Sequence, residues 1–262
     1  MDLAGLMIDT HSHIYSEEFD ADRDEVILRA QHAGVTKIIL PNVDSDSLPR
    51  LLKLEARYPD YCYAAVGLHP ESVKENYQKE LDVIREELER RRYIAVGEIG
   101  IDLYWDKTYQ TEQILAFQTQ VEWAIEFNLP VIIHVRNSHN ETIQALKPYA
   151  GKGLKGIFHC FGGTPEEAAE IFSLGDFKLG IGGVVTFKNS GLAASLMHIP
   201  PENLVLETDS PYLTPAPFRG KRNESAYTVL VAEKLAQVYD MSVGEIDRIT
   251  TENACSVFSG LK

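Results

Sequence analysis

Short apolar runs rich in β-branched residues alternate along this chain with longer stretches of amphipathic period. The runs predict strands over 6–11, 37–41, 63–67, 94–98, 131–134, 156–160, 178–182 and 204–208. The intervening patterns predict helices over 22–33, 75–91, 111–127 and 165–174, then 226–239 and one or two more within 243–258. Strands that are apolar on both faces and each followed by a helix belong to a parallel sheet covered on both sides. They recur about every 28 residues, near the roughly 30 of a βαβ unit. Eight such units close into a TIM (β/α)8 barrel, expected here as a single domain over residues 1–262. The competing open sheet would carry a Gly-rich loop after its first strand; this chain has Thr10-His11-Ser12-His13 there.

Composition removes other classes. With 44% hydrophobic and 24% charged residues in 262, the chain is neither disordered nor a disulfide scaffold. No apolar run approaches the ~18 residues that span a bilayer, and the start lacks the pattern of a leader peptide. Three cysteines without C-x-x-C spacing suggest reduced thiols and a cytoplasmic location. Charge also matters: 25 basic against 39 acidic residues leave a net −14, which argues against a module that coats DNA through a basic face. Bound divalent cations would offset part of that acidity, so an enzyme acting on phosphates stays open.

The chemistry lies in where histidines and acids fall. His11 and His13 close the first predicted strand, and residues two apart in extended chain share a side. Glu98 closes the fourth, His134 the fifth and His159 the sixth, while Asp209 follows the eighth. A parallel barrel gathers its strand C-termini at one face, so these six N and O donors should surround one cavity. One histidine at a strand end is usually a hydrogen-bonded structural residue; four of the chain's eight, with two acids, form a pattern that points to metal. Such donors suit Zn, Mn, Fe or Ni. Six exceed what one tetrahedral site needs, which suggests two ions about 3.5–4 Å apart with Glu98 as the bridge.

Weaker signals surround this set. His69, after the third strand, is expected to contact substrate or to shape the turn before Pro70. Glu207, two residues before Asp209, is expected to orient a ligand histidine from behind or to form a buried ion pair. Arg136 can pair with a phosphate oxygen or form a salt bridge. Arg219, Lys221 and Arg222 bring three cations into four residues after the last strand, where barrel loops often hold phosphate; a solvated surface loop is the alternative. Tyr104 and Trp105 read as a cover for the barrel rim, with base stacking the alternative. Cys160, next to His159, should point into the helix layer. No nucleophile elbow or P-loop is present.

Taken together, Asp9-Thr10-His11-Ser12-His13, Gly67-Leu68-His69-Pro70, Gly97-Glu98-Ile99-Gly100-Ile101-Asp102, His159-Cys160-Phe161 and Glu207-Thr208-Asp209-Ser210-Pro211-Tyr212-Leu213 resemble the TatD family of metal-dependent deoxyribonucleases. Arg219-Gly220-Lys221-Arg222-Asn223-Glu224 and Thr251-Glu252-Asn253-Ala254 are similar to that family too. The resemblance implies a TIM barrel, a pair of divalent ions (Zn, Mg or Mn) and hydrolysis of DNA phosphodiesters, often from the 3′ end. It carries the ligand roles onto His11, His13, Glu98, His134, His159 and Asp209. Departures are Phe218 where the family often has histidine, Ser225 for proline, Asn137 for aspartate and Ile101 for leucine.

These readings converge on two-metal phosphodiester hydrolysis, with Glu98 and Asp209 catalytic and Asp209 as general base. The substrate expected is DNA, as single strands or frayed ends held weakly and salt-sensitively, and the protein a monomer without membrane contact. Rival readings are an ester, lactone or amide hydrolase on the same ions, and a metal-binding scaffold without catalysis.

Overall fold

The eight apolar runs form eight parallel strands in the computed structural model, which describes residues 6–261. Residues 1–5, read above for a leader, and residue 262 lie outside that range. The strands are β1 (Met7–Asp9), β2 (Val35–Leu40), β3 (Cys62–Ala64), β4 (Val96–Asp102), β5 (Val131–Arg136), β6 (Lys155–Phe158), β7 (Asp176–Ile181) and β8 (Leu204–Leu206). The helices are α1 (Arg23–His32), α2 (Leu48–Arg57), α3 (Tyr77–Arg90), α4 (Gln110–Glu126) and α5 (His139–Leu146), then α6 (Pro165–Phe172), α7 (Leu192–Leu196), α8 (Thr228–Tyr239) and α9 (Val243–Val257). Strands pair in the orders β1-β2-β3 and β4-β5-β6-β7-β8. Parallel bridges from Val66 to Val96 and from Ser12 to Ser210 join these sheets at both seams. The result is a closed TIM barrel, which leaves no edge unpaired among the described strands.

Alternation along the strands builds the interior. Ile8, Ile39, Ala65, Ala95, Ile132, Ile157 and Val205 form one apolar layer, packed against Ala254, Val257, Phe258 and Leu261 at the end of α9. Each fully buried Ile or Val there contributes roughly 1.5–3 kcal/mol, a reserve that offsets polar burial elsewhere. Two residues further along β5, β6 and β8, where the period of two returns to the interior, stand His134, His159 and Glu207. Helices form the outer layer. α6 and α9 begin in capping boxes, Thr164 with Glu167 and Ser242 with Glu245, which satisfy two otherwise orphaned N–H groups each. α2, α5 and α7 lie outside the helical ranges given from the sequence. No helix among the described residues is long and apolar enough to cross a membrane.

Strand limits differ from expectation where it matters. β1 ends at Asp9, so His11 and His13 follow a bend rather than closing the strand. β4 runs four residues past Glu98, pairing Gly100 with His134 and Asp102 with Arg136. Its register shifts between Val96 and Ile99, and such a bulge re-aims the side chains beside it. Gly100 permits the close approach to β5: its φ is 150°, and a Cβ there would lie 2.0 Å from the His134 carbonyl oxygen.

Candidate metal centre

Local hydrogen bonds carry the ends of β1 and β8 to one place. The buried Asp9 carboxylate accepts from Thr208 N at 3.0 Å, Thr208 Oγ1 at 2.7 Å and His11 N at 3.3 Å. Thr10 donates from N and Oγ1 to Leu206 O. Asp209 takes a left-handed φ of 56°, which Asp tolerates better than most residues, and its N–H donates to His11 O at 2.9 Å. These ties turn the Asp209 carboxylate back toward the histidines.

Glu98, 2% exposed, sits among five imidazoles. Its Oε2 lies 3.1 Å from His11 Nε2 and 3.5 Å from His13 Nε2. Its Oε1 lies 2.8 Å from His134 Nδ1, 2.9 Å from His159 Nε2 and 3.3 Å from His69 Nε2. One carboxylate therefore divides the histidines into two sets, one per oxygen. Asp209 Oδ1 stands 3.7 Å from both His11 Nε2 and His13 Nε2. The six residues expected around one cavity do meet, and His69 joins them.

The far side of each ring fixes which nitrogen faces inward. Tyr15 gives its hydroxyl proton to Pro41 O at 2.7 Å, so it accepts from His13 Nδ1 at 2.9 Å and leaves His13 Nε2 with a lone pair. His134 Nε2 lies 2.8 Å from Asp102 Oδ2, which turns Nδ1 to the centre. His159 Nδ1 faces Glu207 Oε1 at 3.5 Å. Each is a carboxylate or hydroxyl behind a histidine, the arrangement that orients metal-ligating imidazoles. His69 differs: its Nδ1 accepts from Glu71 N at 3.1 Å, so its inward Nε2 carries the proton and is a donor. Gly180 makes room for Glu207, since a Cβ there would lie 2.0 Å from Glu207 Oε2. Sequence reasoning named Glu207 but missed Asp102 and Tyr15. Asp102 stood within the quoted Gly97–Asp102 motif, and Tyr15 two residues beyond His13.

Burial is the largest influence on His11, His159, Glu98 and Asp209. It drives His11 well below the ordinary imidazole range, helped by the neighbouring His159. In His159 burial is outweighed by Glu98 and Glu207, which hold it well above that range. Glu98 is held well below the carboxylate range, its burial overcome by His159 and His11. Asp209 is pushed up to about 6 by burial, against the pull of His159 and His13. Protons and divalent cations compete for the same lone pairs, and a carboxylate kept ionised among buried imidazoles is the electrostatics of a cation site.

The donor set passes the chemical test for such ions. Two groups, His11 with Glu98 and His159, and His11 with His13 and Asp209, each gather ligand atoms within 4.8 Å of one another, and His134 Nδ1 joins the first at Glu98 Oε1. His11 Nε2 and His13 Nε2 point at the same space from 3.1 Å apart. Imidazole and carboxylate together fit Zn, Mn, Fe or Ni.

At the rim, the expected phosphate-binding cations part ways. Arg219 and Lys221 are exposed, Arg219 lying over the Phe187 ring at 3.5 Å and lining a cleft of about 540 Å³ with Lys188. Arg222 instead donates to Asp22 Oδ2 at 2.7 Å and Glu18 O at 2.6 Å, and lies over Phe19. Asn223 ties the loop down through Thr208 O and Tyr212 O, and Phe218 stacks on Tyr227 at 4.8 Å. Arg136 lies over Tyr104 at 4.0 Å, with Glu71 4.0 Å away. Cys160 leaves the strand with φ of 50° and donates its N–H to Glu207 Oε1, so strand alternation does not set its direction.

Comparison with known proteins gives a consistent picture. Residues 8–259 match the protein family described as TatD related DNase. An uncharacterized metal-dependent hydrolase of Bacillus subtilis, YabD, is 39% identical over 97% of this chain and 99% of its own. A 3'-5' ssDNA/RNA exonuclease TatD of Pectobacterium parmentieri is 31% identical over 96% of this chain and 99% of its own. The crystal structure of YJJV, a TatD homolog from Escherichia coli, superposes with a TM-score of 0.90 at 31% identity, covering 97% of this chain and 98% of that one.

Proposed function

The chain belongs to the TatD related DNase family, and from that premise we propose that it hydrolyses phosphodiesters of single-stranded nucleic acid from a free 3′ end, using two divalent cations. The observation that carries the two-ion reading is the division at Glu98: Oε2 toward His11 and His13, Oε1 toward His134 and His159. A carboxylate so flanked suits a bridge. His11, His13 and Asp209 would hold one ion and His134 and His159 the other. The direction and substrate follow the curated relatives, among them the Pectobacterium exonuclease.

When bound, the cations supply Lewis acidity, acidifying a water and neutralising charge on the phosphoryl oxygens. The chain's own residues do the rest. Asp209, whose side chain is 14% exposed, reaches the open side of the cluster and takes the proton of the attacking water. His69 offers the Nε2 proton to a phosphoryl oxygen. Tyr15, Asp102 and Glu207 keep three rings in the tautomer and orientation that ligation needs. Arg219 and Lys221 contact flanking phosphates, and Arg136 stands at the same rim. With a net charge of −14, single-strand binding is weak and salt-sensitive. We take residues 1–262 as one domain, a monomer working with Zn, Mg or Mn, and the free thiols Cys62, Cys160 and Cys255 support a reducing cytoplasmic setting.

The test is digestion of end-labelled single- and double-stranded DNA and of RNA across Mg, Mn and Zn, read at nucleotide resolution. Stepwise shortening from the 3′ end of single strands is the expected result. Lactone or ester turnover far above nuclease activity would reverse the substrate assignment.

A further inference from the structure

Four of the exposed large apolar side chains lie in the loops after β4 and β8, at the face that holds the histidine and carboxylate cluster: Tyr104, Trp105, Tyr212 and Leu213. Trp105 is 72% and Tyr104 48% exposed, so neither covers the rim as the sequence suggested. Their rings meet edge to face, with centroids 4.6 Å apart and planes 89° apart. The Arg136 guanidinium lies 4.0 Å from the Tyr104 centroid and 5.5 Å from that of Trp105. An aromatic pair braced by a guanidinium and left open to solvent is unlike a rim plug, which would bury its rings.

The position of this pair is fixed by the site itself. Asp102 touches His134 Nε2 with Oδ2 and accepts from Tyr104 N with Oδ1 at 2.9 Å. Arg136 is two residues beyond His134 on β5. The same carboxylate that orients a ligand ring thus anchors the aromatic loop, within about two residues of extended chain, roughly 7 Å. That is the neighbourhood of the nucleotide next to the reacting phosphate. A flat ring is the occupant that exposed aromatics and a guanidinium plane jointly recognise, because every base has a π-face.

Building on the nuclease reading, we infer that Trp105, Tyr104 and Arg136 form a stacking subsite for a nucleobase adjacent to the scissile phosphodiester. It binds without regard to base identity, since the contact is to a ring face and not to an edge. Neither Trp105 nor Tyr104 is among the residues that would hold the ions.

The experiment compares wild type, Trp105→Ala and Trp105→Phe on a short oligodeoxythymidylate, on the same strand with an abasic nucleotide beside the cleaved bond and on a fully abasic strand, which offers no ring to stack; the dye bis(p-nitrophenyl) phosphate reports phosphodiester hydrolysis by the wild type. In Trp105→Ala, KM for the intact strand should rise about tenfold, one stack removed, with kinetics on the fully abasic strand unchanged. The abasic penalty seen in wild type should vanish in Trp105→Ala, and Trp105→Phe should restore most of the affinity. In chelator, without turnover, the oligonucleotide should quench Trp105 emission over the signal of the other tryptophan, Trp123. Equal KM in wild type and Trp105→Ala, with an equal abasic penalty, overturns the subsite and leaves the nuclease reading intact. A change of oligomeric state in Trp105→Ala with KM unmoved overturns it in favour of a contact between copies. A wild type that hydrolyses the dye and no nucleic acid fails the nuclease reading, and the subsite with it.

Discussion

Asp102 Oδ2 lies 2.8 Å from Nε2 of His134, a ring whose other nitrogen meets Glu98 Oε1 at 2.8 Å. The imidazole is thus held between two carboxylates, one behind it and one at the centre. Asp102→Ala removes the rear partner while leaving every inward donor in place. Metal affinity is expected to fall about 10- to 100-fold, and Asp102→Asn, which keeps an acceptor, should lose less. Competition titration with a chelating dye reads this directly; unchanged affinity in the alanine variant would remove Asp102 from the site.

Why the chain displays some of this and hides the rest has a physical reason. His11, His13, Glu98, His134, His159 and Asp209 were legible because a parallel barrel sends every strand end to one face, so position along the chain stands in for position in space. Asp102 was hidden because its partner depends on register: β4 continues past Glu98 and pairs Gly100 with His134, and a bulge upstream shifts the alternation. Tyr15 was hidden because its role rests on a hydrogen bond to Pro41 O, set by how the β1 exit packs on the β2 exit. Arg222 misleads for a similar reason. A run of cations looks like a phosphate loop until Asp22, 200 residues away in sequence, is found beside one of them.

On the proposed two-ion reading, Glu98 sets the ion count. Glu98→Gln keeps the size of the side chain but removes the charge that both histidine sets share, so fewer than two ions per chain should be retained. Activity should drop by at least about a thousandfold, because several kcal/mol of charge stabilisation leave with the ion. Elemental analysis of the dialysed protein checks the stoichiometry, and two ions with near wild-type activity would refute the bridge.

The cationic loop should separate into two functions. Lys221→Ala and Arg219→Ala are expected to flatten the salt dependence of single-strand binding, each lowering the slope by about 0.7, the share of one neutralised phosphate, with little change in Tm. Arg222→Ala should do the reverse, since its guanidinium is engaged by Asp22 and Glu18. A partly exposed pair of this kind is worth about 1 kcal/mol at most, or a Tm lower by about 2–4 °C. A salt slope altered most by Arg222→Ala would assign the phosphate-binding role to that residue instead.

Gly180→Ala tests the packing behind His159. The new methyl would sit 2.0 Å from Glu207 Oε2, and Glu207 is fully buried with nowhere to swing. Overpacking of this kind costs about 1–3 kcal/mol, and the displaced carboxylate should also release His159, so Tm and metal affinity fall together. Loss of Tm with full metal affinity would mean that Glu207 does not orient His159.

Alkaline stability should depend on Cys62. The residue is 1% exposed, and burial first, then Glu55, pushes its thiol far above the ordinary 9.0. With the folded value raised, the unfolded chain releases this proton first as pH climbs. The stabilisation is therefore complete below about pH 9 and declines above it, by up to about 1.4 kcal/mol per pH unit. Tyr149, raised to about 12 by burial and Glu122, steepens the loss above about pH 10. Urea unfolding between about pH 8 and pH 11 should give a shallower decline for Cys62→Ala than for wild type. The comparison uses the slope, so the methyl-sized cavity of the variant, which lowers stability equally at every pH, does not enter. Parallel declines would mean that Cys62 titrates alike in the folded and unfolded chain, and so that its burial is not what keeps the thiol protonated.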